Sequence, residues 1–200
     1  PFVPMLHSFW PEALRQRSPL LGERLAGARR AFERRWGCRN LEVPLSWLES
    51  TPTFARFLGQ VLHNLPRFQR IYNGAIQAYR RRYRLRSALH PAPDLACAGD
   101  WLETPFWAWK TGQALRQGLW AARQGDRLWL RTGTDLVLEA PAAAPAHLLD
   151  SLLNLLQQGQ VKIRTRALTT TLFLCLLVGE LMIHGLGGGN YDEAVDQIMA

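Results

Sequence analysis

Apolar residues recur at helical spacing in the first ninety residues of the chain. Between 19 and 36 one helix face is apolar and arginines fill most of the remaining circumference. A second such pattern runs from 52 to 86, with prolines at the first position of each segment. The pattern predicts four helices, over residues 11–17, 19–36, 52–65 and 66–86. A short extended stretch is predicted at 41–46, where Pro44 limits it to an edge strand or a loop.

The pattern changes after residue 100. Short runs rich in Trp, Leu and Val follow each other, separated by turn residues at 124–126 and 133–135. Runs of this length with glycine-containing turns between them are typical of hairpins. They predict a β-meander with strands over 101–109, 118–122, 127–132 and 136–140.

The last fifty residues combine helical and alternating patterns. A helix is predicted over 146–158 and a strand over 161–166. The apolar segment 169–184 forms either a buried helix or a long buried strand, and its length favours the helix. A glycine-rich loop and a further helix close the chain.

Together these elements predict a mixed α+β fold. A helical N-terminal half precedes a small β-meander and then a strand, helix, glycine loop and helix unit; an α/β core completed by later residues is the alternative. The proline-containing and glycine-containing stretch 87–100 separates a basic helical region, 1–90, from a second region, 91–200. The chain starts without Met and stops inside a predicted helix, so we expect it to be a fragment.

Composition limits the class of protein. Hydrophobic residues make up 48% and charged residues 20%, which is typical of a globular chain. Cys38, Cys97 and Cys175 are far apart and odd in number, so neither a disulfide framework nor a zinc site is expected, and a cytoplasmic location is predicted. The longest apolar run, 172–178, is too short to span a membrane.

The net charge of +8 is concentrated in the first ninety residues, which hold 16 arginines against five acids, whereas the remainder is net acidic. One interpretation is a nucleic-acid-binding module that uses this basic half, with Tyr72, Tyr79 and Tyr83 available for stacking. Helical arginine faces are more often solvated surface, and the sequence has no helix-turn-helix, zinc or single-strand-binding signature. Nucleic acid is therefore the second interpretation.

The glycine-rich loop before the last helix is the first candidate site. It nearly matches G-x-G-x-x-G, but Asn190 replaces the third glycine and a helix precedes it, so a dinucleotide site is not expected. Its bare backbone N–H groups would suit a phosphate or carboxylate. A simple helix connection is the alternative. The predicted anion-binding residues are Gly185, Gly187, Gly188, Gly189, Asn190 and the adjoining Tyr191.

Two titratable residues flank that loop. His184 precedes it and Asp192 follows it, so they are candidates for a general acid and base if the loop folds back on itself. His184 could equally cap the preceding helix by binding its last carbonyls. Asp192 also suits the first turn of the next helix.

A second candidate anion site lies upstream. Arg164 and Arg166 alternate on the predicted strand and precede a run of threonines, so two guanidinium groups could hold a phosphate at a helix start. Thr169 could instead be an ordinary N-cap. Glu103 adjoins the aromatic run 106–109, which either stacks on a ligand or belongs to the core, with Glu103 then pairing with an arginine. No metal ligands and no cofactor are assigned.

The run R-A-L-T-T-T-L-F at 166–173 and the pattern H-G-x-G-G-x-x-Y-D at 184–192 resemble an uncharacterised family of bacterial proteins longer than this chain. The resemblance implies no particular activity. The basic strand leading through an apolar segment to a glycine pair is also similar to the cysteine-adding enzyme of bacillithiol synthesis, with a different spacing.

The favoured functional hypothesis is a transferase-like enzyme that binds an anionic or phosphorylated small molecule at the glycine loop. In this hypothesis Arg164 and Arg166 clamp the anion, the loop 185–189 supplies backbone N–H groups, and His184 or Asp192 acts as acid or base. A nucleic-acid-binding module and a non-catalytic structural domain are the alternatives.

Overall fold

The computed structural model describes residues 2–133, 135–142, 145–183, 185–189 and 191–200. The chain forms two compact units, Pro1–Val43 and Pro44–Ala200. The fold is mixed α+β, which confirms the predicted class: N-terminal helices come first, then an antiparallel meander, then further helices and a strand.

The first unit contains helices α1 (Phe2–Arg15) and α2 (Leu21–Arg34). Pro11 lies inside α1, whereas the sequence predicted a helix that starts there. A proline removes only one intrahelical hydrogen bond, so a helix can continue on both sides of it at a limited cost. Ala28 of α2 is fully buried.

The second unit opens with three helices, α3 (Leu45–Leu48), α4 (Pro52–His63) and α5 (Leu65–Arg82). The predicted extended stretch at 41–46 is wrong at its end, because Pro44 precedes a short helix, a position that its fixed φ suits. Helix α4 starts as predicted: the Thr51 hydroxyl accepts a hydrogen bond from the Phe54 N–H at 3.2 Å.

The predicted meander is present. The strands are β1 (Cys97–Ala98), β2 (Trp101–Lys110), β3 (Gln117–Gln124), β4 (Arg127–Thr132), β5 (Asp135–Pro141) and β6 (Val161–Thr165). Strand β2 pairs with β3, β3 with β4, and β4 with β5, all antiparallel. Strands β1 and β6 also pair with β2. Because β3 takes one edge of β2, β1 and β6 share the other edge.

The long strand β2 is irregular near its middle. Its register against β3 shifts between Glu103 and Trp107, so β2 carries extra residues there. The Thr104 hydroxyl donates to the Leu119 carbonyl oxygen at 2.8 Å and satisfies a backbone group beside the irregularity. Glu103 is opposite Trp120, and Trp107 is opposite Gly118. Because Gly118 and Trp120 are two positions apart on β3, Glu103 and Trp107 lie on the same face of the sheet.

Four helices accompany β6 in the last part of the chain: α6 (Pro145–Gln158), α7 (Ala167–Leu177), α8 (Leu186–Gly189) and α9 (Asp192–Met199). The helix predicted over 169–184 ends at Leu177, and 178–183 has no regular structure. The N–H groups of Val178 and Gly179 both donate to the Leu174 carbonyl, which closes the helix. An apolar run alone does not show where a helix stops.

The core of the second unit lies between the helices and one face of the sheet, called here the inner face. Four phenylalanines form its centre, with ring centroids 5.3 to 6.2 Å apart: Phe54, Phe57, Phe106 and Phe173. Helices α4 and α5 belong to this core together with the sheet. The opposite, outer face of the sheet carries the candidate site.

Candidate functional site

Five of the eight tryptophans of the chain lie on the outer face of the sheet. In the strand register Glu103 is opposite Trp120, and Trp120 is opposite Arg131. Side chains alternate along a strand, so residues two positions away from these share the same face. All five indole side chains are half-buried. This group, called here the tryptophan face, consists of Trp101, Trp107, Trp109, Trp120 and Trp129.

Arginine guanidinium groups lie over three of these rings. The guanidinium carbon of Arg131 is 4.1 Å from the ring centroid of Trp101, and that of Arg166 is 4.3 Å from Trp107. Two guanidinium groups approach Trp109, at 5.6 Å for Arg116 and 5.9 Å for Arg164. These distances lie within the range of cation–π attraction. The face therefore combines flat aromatic and flat cationic groups.

Arg166 is held at the centre of the face by a carboxylate. Its Nη2 donates to Glu103 Oε1 at 2.6 Å, and the two side chains are 8% and 17% exposed. The other oxygen, Glu103 Oε2, accepts the Ala96 N–H at 3.0 Å. Glu103 therefore pairs with an arginine, as expected from the sequence interpretation in which the adjoining aromatic run belongs to the core.

This ion pair passes directly over Gly118 of β3. A Cβ at that position would lie 2.7 Å from Arg166 Nη2 and 3.0 Å from Glu103 Oε1, both closer than ordinary contacts. The absence of a side chain at Gly118 therefore creates the space that the pair occupies.

Arg164 is held by a different carboxylate. Its Nε lies 3.2 Å from Oε2 of Glu49, and its Nη1 donates to the Ile163 carbonyl at 2.7 Å. Glu49 is 1% exposed, and its Oε1 accepts hydrogen bonds from the N–H and the hydroxyl of Thr165, both at 2.8 Å. Burial raises the pKa of Glu49, although the Thr165 bonds and the charges of Arg164 and Arg116 act in the opposite direction.

The raised pKa of Glu49 predicts a pH-dependent stability. The folded state binds a proton at this carboxyl more tightly than the unfolded state does, so the resulting stabilisation is present below about pH 4.3 and is lost as the pH rises through the raised pKa. Burial lowers the pKa of Arg164, which stays protonated throughout this range. We expect the stability of the native chain, relative to that of the Glu49→Gln variant, to decrease between about pH 4 and pH 7.

Urea unfolding at several pH values in this range measures the difference. Glutamine keeps an oxygen for the two Thr165 donors but does not titrate, so it isolates the effect of charge. A difference in unfolding free energy that stays constant over this interval would contradict the prediction.

Three cations on the outer face have no carboxylate partner. Within the described ranges, Arg116, Arg131 and Lys162 form no ion pair at 4.0 Å or less. Lys162 lies opposite Trp109 in the register of β2 and β6, and it is exposed, as is Arg116. Arg116 and Lys162 can therefore meet an anion without first breaking an ion pair or a hydrogen bond, whereas the Nε of Arg131 is inaccessible to solvent.

The threonines after β6 do not form the predicted helix start. The N-cap of α7 is Arg166, and no side chain caps the helix. Thr169 is 1% exposed, and its hydroxyl has no hydrogen-bond partner among the residues that the structure describes. Thr170 instead lies 2.6 Å from Thr165 through the two hydroxyl oxygens, next to Glu49.

The glycine-rich loop forms a helical turn. The N–H groups of Gly188 and Gly189 both donate to the Gly185 carbonyl, and the Tyr191 N–H donates to that of Gly188. Three backbone donors of the loop are therefore used within the loop itself; Gly187 lies in the same turn, α8. His184 and Asn190 lie outside the described residues. Anion binding here stays a prediction.

The residues that follow the loop face helix α5. The Tyr191 ring centroid is 5.7 Å from that of His90, and Asp192 lies in the first turn of α9. The carboxylate of Glu193 accepts from the Tyr83 hydroxyl at 2.9 Å and pairs with Arg82. No hydrogen bond or ion pair found within the described part of the chain joins the loop to Arg164 or Arg166.

Sequence reasoning missed most of the tryptophan face. It treated the aromatic run of β2 as either core or stacking group, and the structure separates the two: Phe106 is fully buried, whereas Trp107 and Trp109 lie on the outer face. The sequence did contain a signal for this face. Tryptophans at every second position of a strand point to one side of the sheet, and so do arginines at every second position of a neighbouring strand.

Neither a metal-binding cluster nor a membrane-spanning helix is found among the described residues. The described residues contain no group of three or more His, Cys, Asp or Glu side chains arranged to hold a metal ion. They also contain no helix with the length and apolar character needed to cross a membrane.

Comparison with protein-family models, curated proteins and solved structures finds no match to this chain.

Proposed function

We propose that this protein binds single-stranded nucleic acid on the tryptophan face. The observation that carries the proposal is the interleaving of five tryptophans with arginines on one side of an antiparallel sheet, with guanidinium groups 4.1 to 5.9 Å from three of the rings. Unstacked bases bind to such flat aromatic and guanidinium surfaces, and an exposed sheet face presents them in fixed register.

The charges on this face favour a polyanion. Arg116 and Lys162 are exposed and available to phosphate groups, whereas Arg164 and Arg166 are already paired with Glu49 and Glu103. A strand of nucleic acid carries a phosphate for every base, so one ligand meets both the cations and the rings. A neutral sugar would use the rings and leave the cations without partners.

The surface differs from the one that the sequence alone favoured for nucleic acid. The excess of arginine lies in the first ninety residues, for example on α5, where Arg70 and Arg81 are exposed. The three tyrosines predicted to stack are not free as a set: Tyr72 and Tyr79 of α5 are buried, and only Tyr83, directly after the helix, is exposed. The outer face of the sheet has both components together.

The transferase hypothesis remains a prediction. Arg164 and Arg166 lie on the tryptophan face with their carboxylate partners, and three N–H groups of the glycine loop are bonded within the loop. An anionic ligand therefore has better support on the sheet than at the loop.

A charge-reversal experiment tests the proposed surface. In the double variant Arg116→Glu, Lys162→Glu, two exposed cations that have no carboxylate partner among the described residues are replaced, and we expect at least a roughly tenfold weaker affinity for a fluorescein-labelled oligothymidylate. The slope of the logarithm of the association constant against the logarithm of the salt concentration should also become shallower by about 1.4. Each lost phosphate contact contributes about 0.7 for single strands. Fluorescence anisotropy at several salt concentrations measures both.

The matched control is Arg70→Glu, Arg81→Glu, which changes the net charge equally on exposed positions of α5. We expect a change in affinity of less than about threefold, from the general loss of positive charge. Loss of binding in the α5 variant but not in the sheet variant would overturn the proposed surface. Absence of oligonucleotide binding by the native chain at about 50 mM salt would overturn the function itself.

A further inference from the structure

We propose that Trp109 is the base-stacking subsite of the tryptophan face, and that a nucleobase stacks on its indole ring in the place of the Arg116 guanidinium. This inference rests on the proposed function and names the ring on which the ligand stacks. It follows from a difference in how firmly the arginines over the three rings are held.

The arginine over Trp107 is fixed. Arg166 is bound by Glu103 at 2.6 Å, its side chain is only 8% exposed, and a base could replace it only by breaking that ion pair. Removal of one partner from such a buried pair leaves an uncompensated charge. Trp107 is therefore a structural contact of the sheet.

The arginine over Trp101 is also enclosed. Arg131 lies 4.1 Å from the ring centroid, at close range, and its Nε is inaccessible to solvent. Displacing this guanidinium would require the side chain to withdraw from a buried position. Trp101 does not offer a free ring surface.

Trp109 differs because its two guanidinium groups are held unequally. Arg164 is fixed by Glu49 and by the Ile163 carbonyl. Arg116 is exposed, and among the described residues its side chain has neither an ion pair nor a hydrogen bond; it lies 5.6 Å from the ring centroid and interacts with the charge of Glu49 only at longer range. This guanidinium can leave the ring without breaking an ion pair or a hydrogen bond.

The exchange is favourable on physical grounds. An exposed cation–π contact is among the weaker aromatic interactions, whereas base stacking on an aromatic side chain is stronger. Arg116 immediately precedes Gln117 of β3, which is opposite Ala108, and the exposed Lys162 of β6 is opposite Trp109 on the other side. A displaced Arg116 therefore stays close enough to bind the phosphate of the same nucleotide.

The experiment compares an oligothymidylate with an abasic oligonucleotide of the same length and charge. The native chain should prefer the thymidylate by roughly 5- to 100-fold, which is the contribution of stacking. In Trp109→Ala this preference should fall to less than about twofold, whereas affinity for the abasic strand should be unchanged. Trp47→Ala, the control that removes an exposed tryptophan of α3 outside the sheet, should keep the preference.

Thermal unfolding confirms that each variant is folded, and Trp109→Leu, which keeps apolar volume but has no π surface, replaces the alanine variant if that one does not fold. A thymidylate preference that persists in both Trp109 variants overturns the subsite while the proposed function stands. If the native chain binds neither strand, the proposed function and the subsite both fail. Equal binding of both strands by the native chain overturns stacking alone.

Discussion

Replacement of Glu103 by alanine is expected to lower the free energy of unfolding by about 3–5 kcal/mol. The carboxylate compensates Arg166, whose side chain is 8% exposed, and accepts the N–H of Ala96. In the variant the buried guanidinium of Arg166 would lose its counter-charge. Its Nε has no hydrogen-bond partner within the described residues even in the native chain. Such a loss is a large fraction of the stability of a typical domain, which is about 5–15 kcal/mol.

The matched control for this variant is Glu139→Ala. Glu139 also belongs to a strand and pairs with an arginine, Arg127, but both side chains of that pair are about one-third exposed or more. An exposed pair contributes about 0–1 kcal/mol, so the control should lose far less. Urea unfolding at neutral pH gives both values. Similar losses in the two variants would show that Arg166 is not effectively buried.

A second comparison separates the charge from the packing. The double variant Glu103→Leu, Arg166→Met removes both charges and retains apolar volume, and we expect it to be more stable than Glu103→Ala, because no charge is left unpaired. A double variant as unstable as the sum of its two single variants would mean that the two side chains do not interact.

Replacement of Phe106 by alanine should also cost about 3–5 kcal/mol. Phe106 is fully buried on the inner face of β2, and its ring lies 6.2 Å from that of Phe54 and 6.1 Å from that of Phe57. Its removal opens a cavity between the sheet and α4. Since Phe106 is opposite Thr165 in the register, the cavity also lies near the Glu49 carboxylate.

The control for this variant is Trp47→Ala, which removes an even larger aromatic side chain from a position that is 66% exposed. We expect a change within about 0.5 kcal/mol. Unfolding by urea, followed by circular dichroism, compares the two. A loss below about 1 kcal/mol for Phe106→Ala would contradict a core centred on the four phenylalanines.

The tryptophan face combines arginines that are fixed with cations that are not. The Glu103–Arg166 and Glu49–Arg164 pairs hold two arginines against the sheet. Arg116 and Lys162 form no such pair within the described residues. Under the proposed function, the buried pairs would keep the face rigid and the exposed cations would contact phosphate.

The meander could be predicted because its signal is local. Turn residues at 124–126 and 133–135 alternate with short apolar runs, and a hairpin joins neighbours in sequence. Helices α4 and α6 were predictable for the same reason, from periodicity and from the residues at their ends. The end of α7 was not, because apolar residues resume at 181–183 after Gly179 and Glu180, so the segment still fits one longer helix.

The candidate site required contacts between residues distant in sequence. Glu49 meets Thr165 across 116 positions, and Glu103 meets Arg166 across 63. Sequence reasoning named Glu103, Arg164 and Arg166 individually but grouped the two arginines with the glycine loop. The pairing of β6 with β2, which no local pattern indicates, places them instead beside Trp107 and Trp109.

The amino-acid sequence by itself determined the fold class, the meander and most of the helices, because hydrophobic periodicity, prolines and turn glycines act over a few residues. Only the tertiary structure decided which arginines are neutralised and which are available, since that depends on carboxylates from α3–α4 and β2 reaching the same face. Burial and charge pairing are properties of the folded chain, and they select Arg116 and Trp109 from residues that look alike in the sequence.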